Sequence, residues 1–327
     1  GVVPFRLDPI RPSPQQGGYR NKCEFTIGFD NAAGDGGNVA VGFRLGALLG
    51  SAAASVARPA ACANVPADMV GICAAVEAVI AGSPLAVYDV VKHTGVWRTM
   101  TLRQGRRTGQ AMLHLVAAAA AASETAAAAT TARAGADAAN DGAINGADPP
   151  PPRPRTRVAC ICVQEYMGRS VPDPNSPVRV LWGEDHIEEE LLGLRFRISP
   201  GSFFQVNTEA AEVLYNTVVE HASAGGPLSN MTVLDVCCGT GTIGLVCAKR
   251  GAASVTGVEM CEPAVEDARK NAAANGITSV QFVCGRAEAH MQRIIGEQRV
   301  AVQRAAASAT RTAAGGGASS SGAGASA

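Results

Sequence analysis

The chain has 327 residues, 47% of them apolar, with 28 basic and 28 acidic side chains. That length and apolar content allow two domains with at least one sizeable core, while the balanced charge excludes a nucleic-acid partner held by global charge and leaves only local patches. No apolar run reaches the roughly 18 residues that a bilayer span requires, so no membrane partner is expected.

Ten cysteines occur with no CxxC pair and no Cys/His cluster. That pattern supports neither a zinc site nor a secreted disulfide framework, so no metal is expected and the thiols are read as free, in a reducing intracellular compartment, cytoplasmic or nuclear.

In chain order, residues 19–29 (YRNKCEFTIGF) alternate as a strand does, and 67–80 have helical spacing at Met69, Ile72, Cys73, Val76 and Val79. Residues 98–116 read as a hairpin around the polar turn GRRTG, and 158–166 (VACICVQEY) as a further strand. Ala/Gly/Ser/Thr-rich stretches at 50–60, 117–147 and 305–327 bury too little to offset their ordering entropy and are read as flexible inserts and a tail, the prolines at 149–154 stiffening the end of the second. The first 195 residues thus form an α+β domain with inserts near 50–60 and 117–157.

After residue 230 the pattern changes. Strand TVLDVC, helix TIGLVCAKRG, strand SVTGVEM, helix PAVEDARKNAAANG and strand SVQFVC follow one another through short loops, the grammar of a parallel sheet with helices packed on it. Pro263 stands in a first helical turn and Gly276 at a helix end. Gly239, Gly241 and Gly244 match GxGxxG, a weak signal that usually points to a dinucleotide; a generic tight turn is the plain alternative. Asp235, four residues earlier, would repel a pyrophosphate and suit a ligand with an ammonium or sulfonium, such as S-adenosylmethionine; its alternative is a helix-capping acid. Glu259, at the end of the next strand, is placed to accept from ribose hydroxyls, a role common to both ligand classes.

The segments GSFFQVNTEAAEVLY, VLDVCCGTGTIGL, GVEMCEPAVEDARKNAAANGI and FVCGRAEAH, in this order, resemble the RNA uracil-5-methyltransferase family, and YRNKCEF, VGFR and LRQGRRTGQAML resemble its central domain. The likeness is strongest to the eukaryotic tRNA branch. It implies a class I, Rossmann-like S-adenosylmethionine methyltransferase domain, starting near 196 and incomplete by 296, preceded by the α+β central domain and followed by a disordered tail at 297–327.

The resemblance implies that Gln205 contacts the cofactor from outside the glycine loop, that Cys237 and Thr242 flank that loop, that Gly239 and Gly241 admit the ligand, and that Glu259 holds the ribose. Arg286 and Ala287 would lie near the adenine. Phe203 would stack near a flipped target base, its alternative being a buried anchor. Arg20, Lys22, Arg98, Arg103, Arg106 and Arg107 would contact phosphates or else form a solvated strand face. The implied partner is tRNA or another structured RNA, bound by a monomer.

The implied chemistry is attack of a cysteine thiolate on carbon 6 of uracil, methylation at carbon 5 and removal of the carbon 5 proton by a base. In the family those groups lie in DPPR, SCN and HVE motifs beyond the fourth strand, and none of the three occurs here. No catalytic residue is therefore assigned. The expectation is a truncated, inactive chain whose strand VLDVC is an unpaired edge, with disorder from 231 onward; the alternative is a non-catalytic RNA-binding or chaperone-like module.

Overall fold

Alternation of apolar and polar side chains builds the larger of three sheets. The computed structural model describes residues 7–30, 37–46, 55–90, 92–118, 131, 133, 135, 154–166, 168, 172, 176–297, 299, 300 and 303. Strands β1 (Lys22–Asp30), β2 (Asn38–Arg44), β3 (Val56–Ala57), β4 (Trp97–Gln104), β5 (Gln110–Ala117), β6 (Arg157–Glu165) and β7 (Val178–Gly183) assemble in the order β3-β2-β1-β4-β5-β6-β7. All neighbours are antiparallel except β5 and β6. Along β1, Cys23, Phe25 and Ile27 point into a core against Met69, Ile72, Cys73, Val76 and Ile80 of helix α1 (Ala67–Ala81). Successive strand residues face opposite sides, so Lys22, Glu24 and Thr26 fall on the other face. The hairpin read around GRRTG is β4–β5, with Arg103 opposite Met112.

The stretch 50–60 is corrected in part. Val56 is 1% exposed, β3 pairs with β2, and Arg58 bridges Asp30 and Glu77 at 2.9 Å each. Small side chains had hidden a short edge strand. Most of the insert read at 117–157 and of the tail read at 297–327 lies outside the described residues, but 297, 299, 300 and 303 are helical, which corrects the start of that tail.

A hairpin of β8 (Ile187–Leu191) and β9 (Leu194–Ile198) leads into helix α2 (Thr208–Ala222), whose N-cap Asn207 accepts from the Ala210 N–H at 2.9 Å. Next come β10 (Thr232–Val236), α3 (Thr242–Lys249), β11 (Ser254–Glu259), α4 (Glu262–Ala274) and β12 (Val280–Cys284), as the repeating pattern predicts. The three strands are parallel in the order β10-β11-β12. Among the described residues β10 is an edge, as expected. The segment after 231 is nonetheless regular: residues 287–297 form a helix whose Ile294 is 3% exposed, and with Val233, Leu234 and Thr256 it lines a cavity of about 420 Å³ over the sheet.

The boundary read at 195/196 falls inside β9. One core runs across it, joining Met112, Cys160 and Cys162 of the large sheet to Phe196, Phe204, Tyr215, Leu245 and Val265.

Candidate cofactor and RNA site

The turn from β10 into α3 is built from left-handed backbone. Cys237, Gly239 and Gly241 have φ of 61°, 54° and 79°. Only glycine takes that region freely, so the non-glycine Cys237 is strained. A Cβ on Gly241 would lie 2.7 Å from the Phe282 ring, whereas one on Gly239 would meet nothing within 4 Å. Gly241 is thus required by packing, and Gly239 by backbone, with open space above it. At the carboxyl ends of β10 and β11, where open α/β sheets hold their ligands, Val236 and Met260 are 43% and 68% exposed, and Cys237, Cys261 and Cys284 are exposed as well.

Two carboxylates brace this loop. Asp235 Oδ2 accepts from the Gly244 N–H at 2.9 Å, so the capping role that competed with a ligand role is realised for that oxygen. Burial, reinforced by the nearby Glu259, raises the Asp235 carboxyl above its usual range, against the pull of the Gly244 N–H. Glu259 Oε2 accepts from Gly239 at 3.0 Å, and Oε1 from the N–H groups of Met260 and Cys261 at 2.8 and 2.9 Å. Thr242 flanks the loop as expected, but its hydroxyl pairs with Tyr215 at 3.2 Å. Cys238 packs beneath the loop, and burial pushes its thiol up to about 12.

The extended stretch 202–206 is pinned at Ser202, Phe204 and the Gln205 and Val206 carbonyls. Ser202 is held from both sides: its carbonyl accepts from Arg103 Nη2 at 2.8 Å and its hydroxyl donates to Asp267 at 2.9 Å. Phe204 is buried at 4% exposure, tilted against Phe196. Asn21 donates its side-chain amide to the Gln205 carbonyl and its backbone N–H to the Val206 carbonyl, both at 2.8 Å. Phe203 is 74% exposed, so it is not the buried anchor, and the Gln205 side chain has no protein partner among the described residues.

Helix α4 ties this stretch to the glycine loop. Asp267 takes Ser202 and Arg197 Nε, while Asn271, one turn on, accepts from the Arg197 N–H at 2.7 Å and donates to the Thr240 carbonyl at 3.1 Å. Asn275 then accepts from the N–H and donates to the carbonyl of Arg195. The edge of β9 is thereby satisfied by side chains rather than by another strand.

The basic residues divide. Arg103 is 3% exposed and Arg106 7%; Arg106 donates to Gly18 and Gln104. Arg107 makes a two-pronged pair with Glu212, and Arg98 lies between the rings of Tyr88 and Tyr166 at 4.1 and 4.9 Å. All four are held by partners within the protein, Arg103 and Arg106 buried and Arg107 exposed, because a guanidinium can brace several acceptors at once. Arg20 and Lys22 instead line an open cleft. Arg286 is exposed and pairs with Glu288 at 3.8 Å. Among the described residues one trio, Glu184, Asp185 and His186, brings metal-type ligand atoms together; Asp185 and His186 are bonded to each other and to Arg197. All ten cysteines are unbridged.

The sequence reading missed Asn21, Asp267, Asn271 and Asn275. The last three recur every fourth residue in EDARKNAAAN, a polar stripe among alanines that marks one helix face.

A family model described as a methyltransferase domain matches residues 227–301. The mouse tRNA (uracil-5-)-methyltransferase homolog A is 39% identical over 307 residues, which is 90% of this chain and 46% of that protein. Human tRNA (uracil-5-)-methyltransferase homolog B is 36% identical over 86% of this chain and 52% of its own length. The chain resembles the tRNA uracil-5-methyltransferases. It spans about half the length of the curated relatives it matches. The crystal structure of Pyrococcus abyssi tRNA (uracil-54, C5)-methyltransferase in complex with S-adenosyl-L-homocysteine superposes with a TM-score of 0.61 at 22% identity, over 84% of this chain and 56% of that one. That likeness fixes the fold: a Rossmann-like methyltransferase half preceded by an α+β half.

Proposed function

We propose that this chain carries the cofactor-binding and RNA-recognition parts of an S-adenosylmethionine-dependent tRNA (uracil-5-)-methyltransferase, acting at carbon 5 of uridine. The observation that carries this reading is the tie through α4: Asp267 and Asn271, one helical turn apart, hold the Phe203–Gln205 stretch and the glycine loop against the same helix face.

The residues fit the cofactor. The space above Gly239 is open, and the paired acids Asp235 and Glu259 give the loop a negative potential that suits a sulfonium and opposes a pyrophosphate. S-adenosylmethionine, when bound, supplies an electrophilic methyl group. Gly239 and Gly241 let the backbone approach, Glu259 accepts from ribose hydroxyls, Asp235 stiffens the loop from below, and Gln205 contacts the cofactor from outside the glycine loop. Cys237 and Thr242 border the same space. Phe203 offers its ring to a uracil turned out of the RNA stack, because carbons 5 and 6 cannot be approached in a stacked, paired base.

Calorimetric titration of the 327-residue chain with S-adenosylmethionine and with NAD tests the reading. Binding of the first and not the second is expected. Binding of NAD alone would reject the assignment, and labelled-methyl transfer to unmodified tRNA would report whether these residues also complete the reaction.

A further inference from the structure

A cleft of about 510 Å³ opens beside the pinned stretch, lined by Arg20, Lys22, Phe43, Cys62, Asn64 and Val206. Its volume lies within the range of small-ligand sites, roughly 300–1,000 Å³. Val206 is the next residue after Gln205, so the cleft adjoins the segment that presents Phe203.

Its walls are polar on one side and apolar on the other. Arg20 Nε donates to the Lys22 carbonyl at 3.1 Å, which fixes the root of the guanidinium at the cleft wall. Glu24 also lines the cleft and pairs with Lys22 at 2.7 Å, so the positive charge left in the cleft is that of Arg20. Phe43 packs tilted against Phe25, with ring centroids 5.2 Å apart, and so is a fixed wall. At the floor, Cys23 is buried and its thiol is raised by burial although Arg20 pulls it down.

A cation for a phosphate, an aromatic wall for a base and an amide-bearing side chain for its edge are the elements with which proteins hold unpaired RNA nucleotides. We propose that this cleft takes one unpaired nucleotide of the substrate RNA, a second one beside the uridine offered to Phe203. The inference rests on the RNA-methyltransferase reading above. It assigns Arg20 to the phosphate, and makes the cleft a determinant of which RNA loop is accepted.

The test uses the whole chain and a 17-nucleotide stem-loop carrying a single abasic site moved through the loop in turn. Two positions should each weaken binding by roughly tenfold, the scale of losing one stacked base. One reports Phe203 and the other the cleft. Cys62→Phe, which fills the cleft without altering its charge, should abolish the penalty at the second position only, and the stem-loop should slow alkylation of Cys62 followed by peptide mass. Arg20→Ala should weaken the intact stem-loop by a similar factor and leave S-adenosylmethionine affinity unchanged. A single sensitive position, or a second position still sensitive in Cys62→Phe, overturns the subsite while retained S-adenosylmethionine binding keeps the methyltransferase reading. Protection of Cys62 by a free mononucleotide at the concentration at which the stem-loop protects would also overturn it, since the cleft would then serve a small ligand. Loss of S-adenosylmethionine binding in the unaltered chain would instead defeat the reading beneath it.

Discussion

Phe203 and Phe204 are chemically identical neighbours with opposite fates, 74% and 4% exposed. Extended backbone sends successive side chains to opposite sides, and Ser202 and Asn21 fix the register by hydrogen bonds. The substitutions should therefore separate. Phe204→Ala should cost about 3–5 kcal/mol in urea denaturation. Phe203→Ala should leave stability within about 0.5 kcal/mol yet weaken binding of a uridine-containing RNA by about 1–3 kcal/mol through the lost stacking. A destabilised Phe203→Ala would return that ring to a structural role. Asp235 teaches the complementary lesson. Its position after a strand and before a glycine loop was legible and a capping role was among its readings, but the choice of the Gly244 N–H as partner was not, because it depends on how tightly the first turn of α3 closes over the strand.

Among the elements, the βαβαβ run was readable because its periodicity is consistent over fifty residues and punctuated by Pro263 and Gly276. Strand β8 was not. Its sequence IEEEL places three glutamates, a residue type depleted in strands, side by side, and only the completed fold shows that Glu189 faces inward at 0% exposure. Strand β3 escaped notice for a different reason, being two residues long within an alanine-rich stretch. Helix α4 was placed correctly but read only from its place in the alternation and from its ends at Pro263 and Gly276. Its polar stripe covers the edge of β9, and this gives a sharp expectation for Asn271, which is 1% exposed. Asn271→Leu keeps the volume but orphans the Arg197 N–H and the Thr240 carbonyl. Each orphaned buried group costs about 1–3 kcal/mol, so a large drop in the urea midpoint should accompany a looser glycine loop. Hydrogen exchange at Gly239 and Gly241 measures the second effect. Unchanged protection there would mean that α4 does not support the cofactor site.

At the scale of the molecule, Glu189 joins the parts that the sequence suggested were separate domains. Its carboxylate accepts from the N–H groups of Arg106 and Arg107 in the β4–β5 turn, at 2.8 and 3.0 Å, and from the Thr208 hydroxyl at the start of α2, at 2.8 Å. Thr208 in turn accepts from Asn21 at 3.0 Å, the residue that pins Gln205. Burial raises the Glu189 carboxyl from an ordinary 4.5 to about 7, even against these donors. Between those values the folded chain holds a proton that the unfolded chain has released, so the unfolded state binds fewer protons and unfolding free energy falls as pH rises. The contribution is fully present below 4.5 and lost through about 7. Glu24, Asp185 and Glu212, whose carboxyls are lowered, act with the opposite sign and at more acid pH. Urea midpoints of the unaltered chain should therefore fall between pH 5 and pH 7.5 more steeply than those of Glu189→Gln, which cannot titrate. The variant should also be less stable at pH 5, because its amide N–H groups face donors. Parallel pH curves would show that Glu189 is ionised throughout, and that the halves are joined by a charged hub rather than a protonated one.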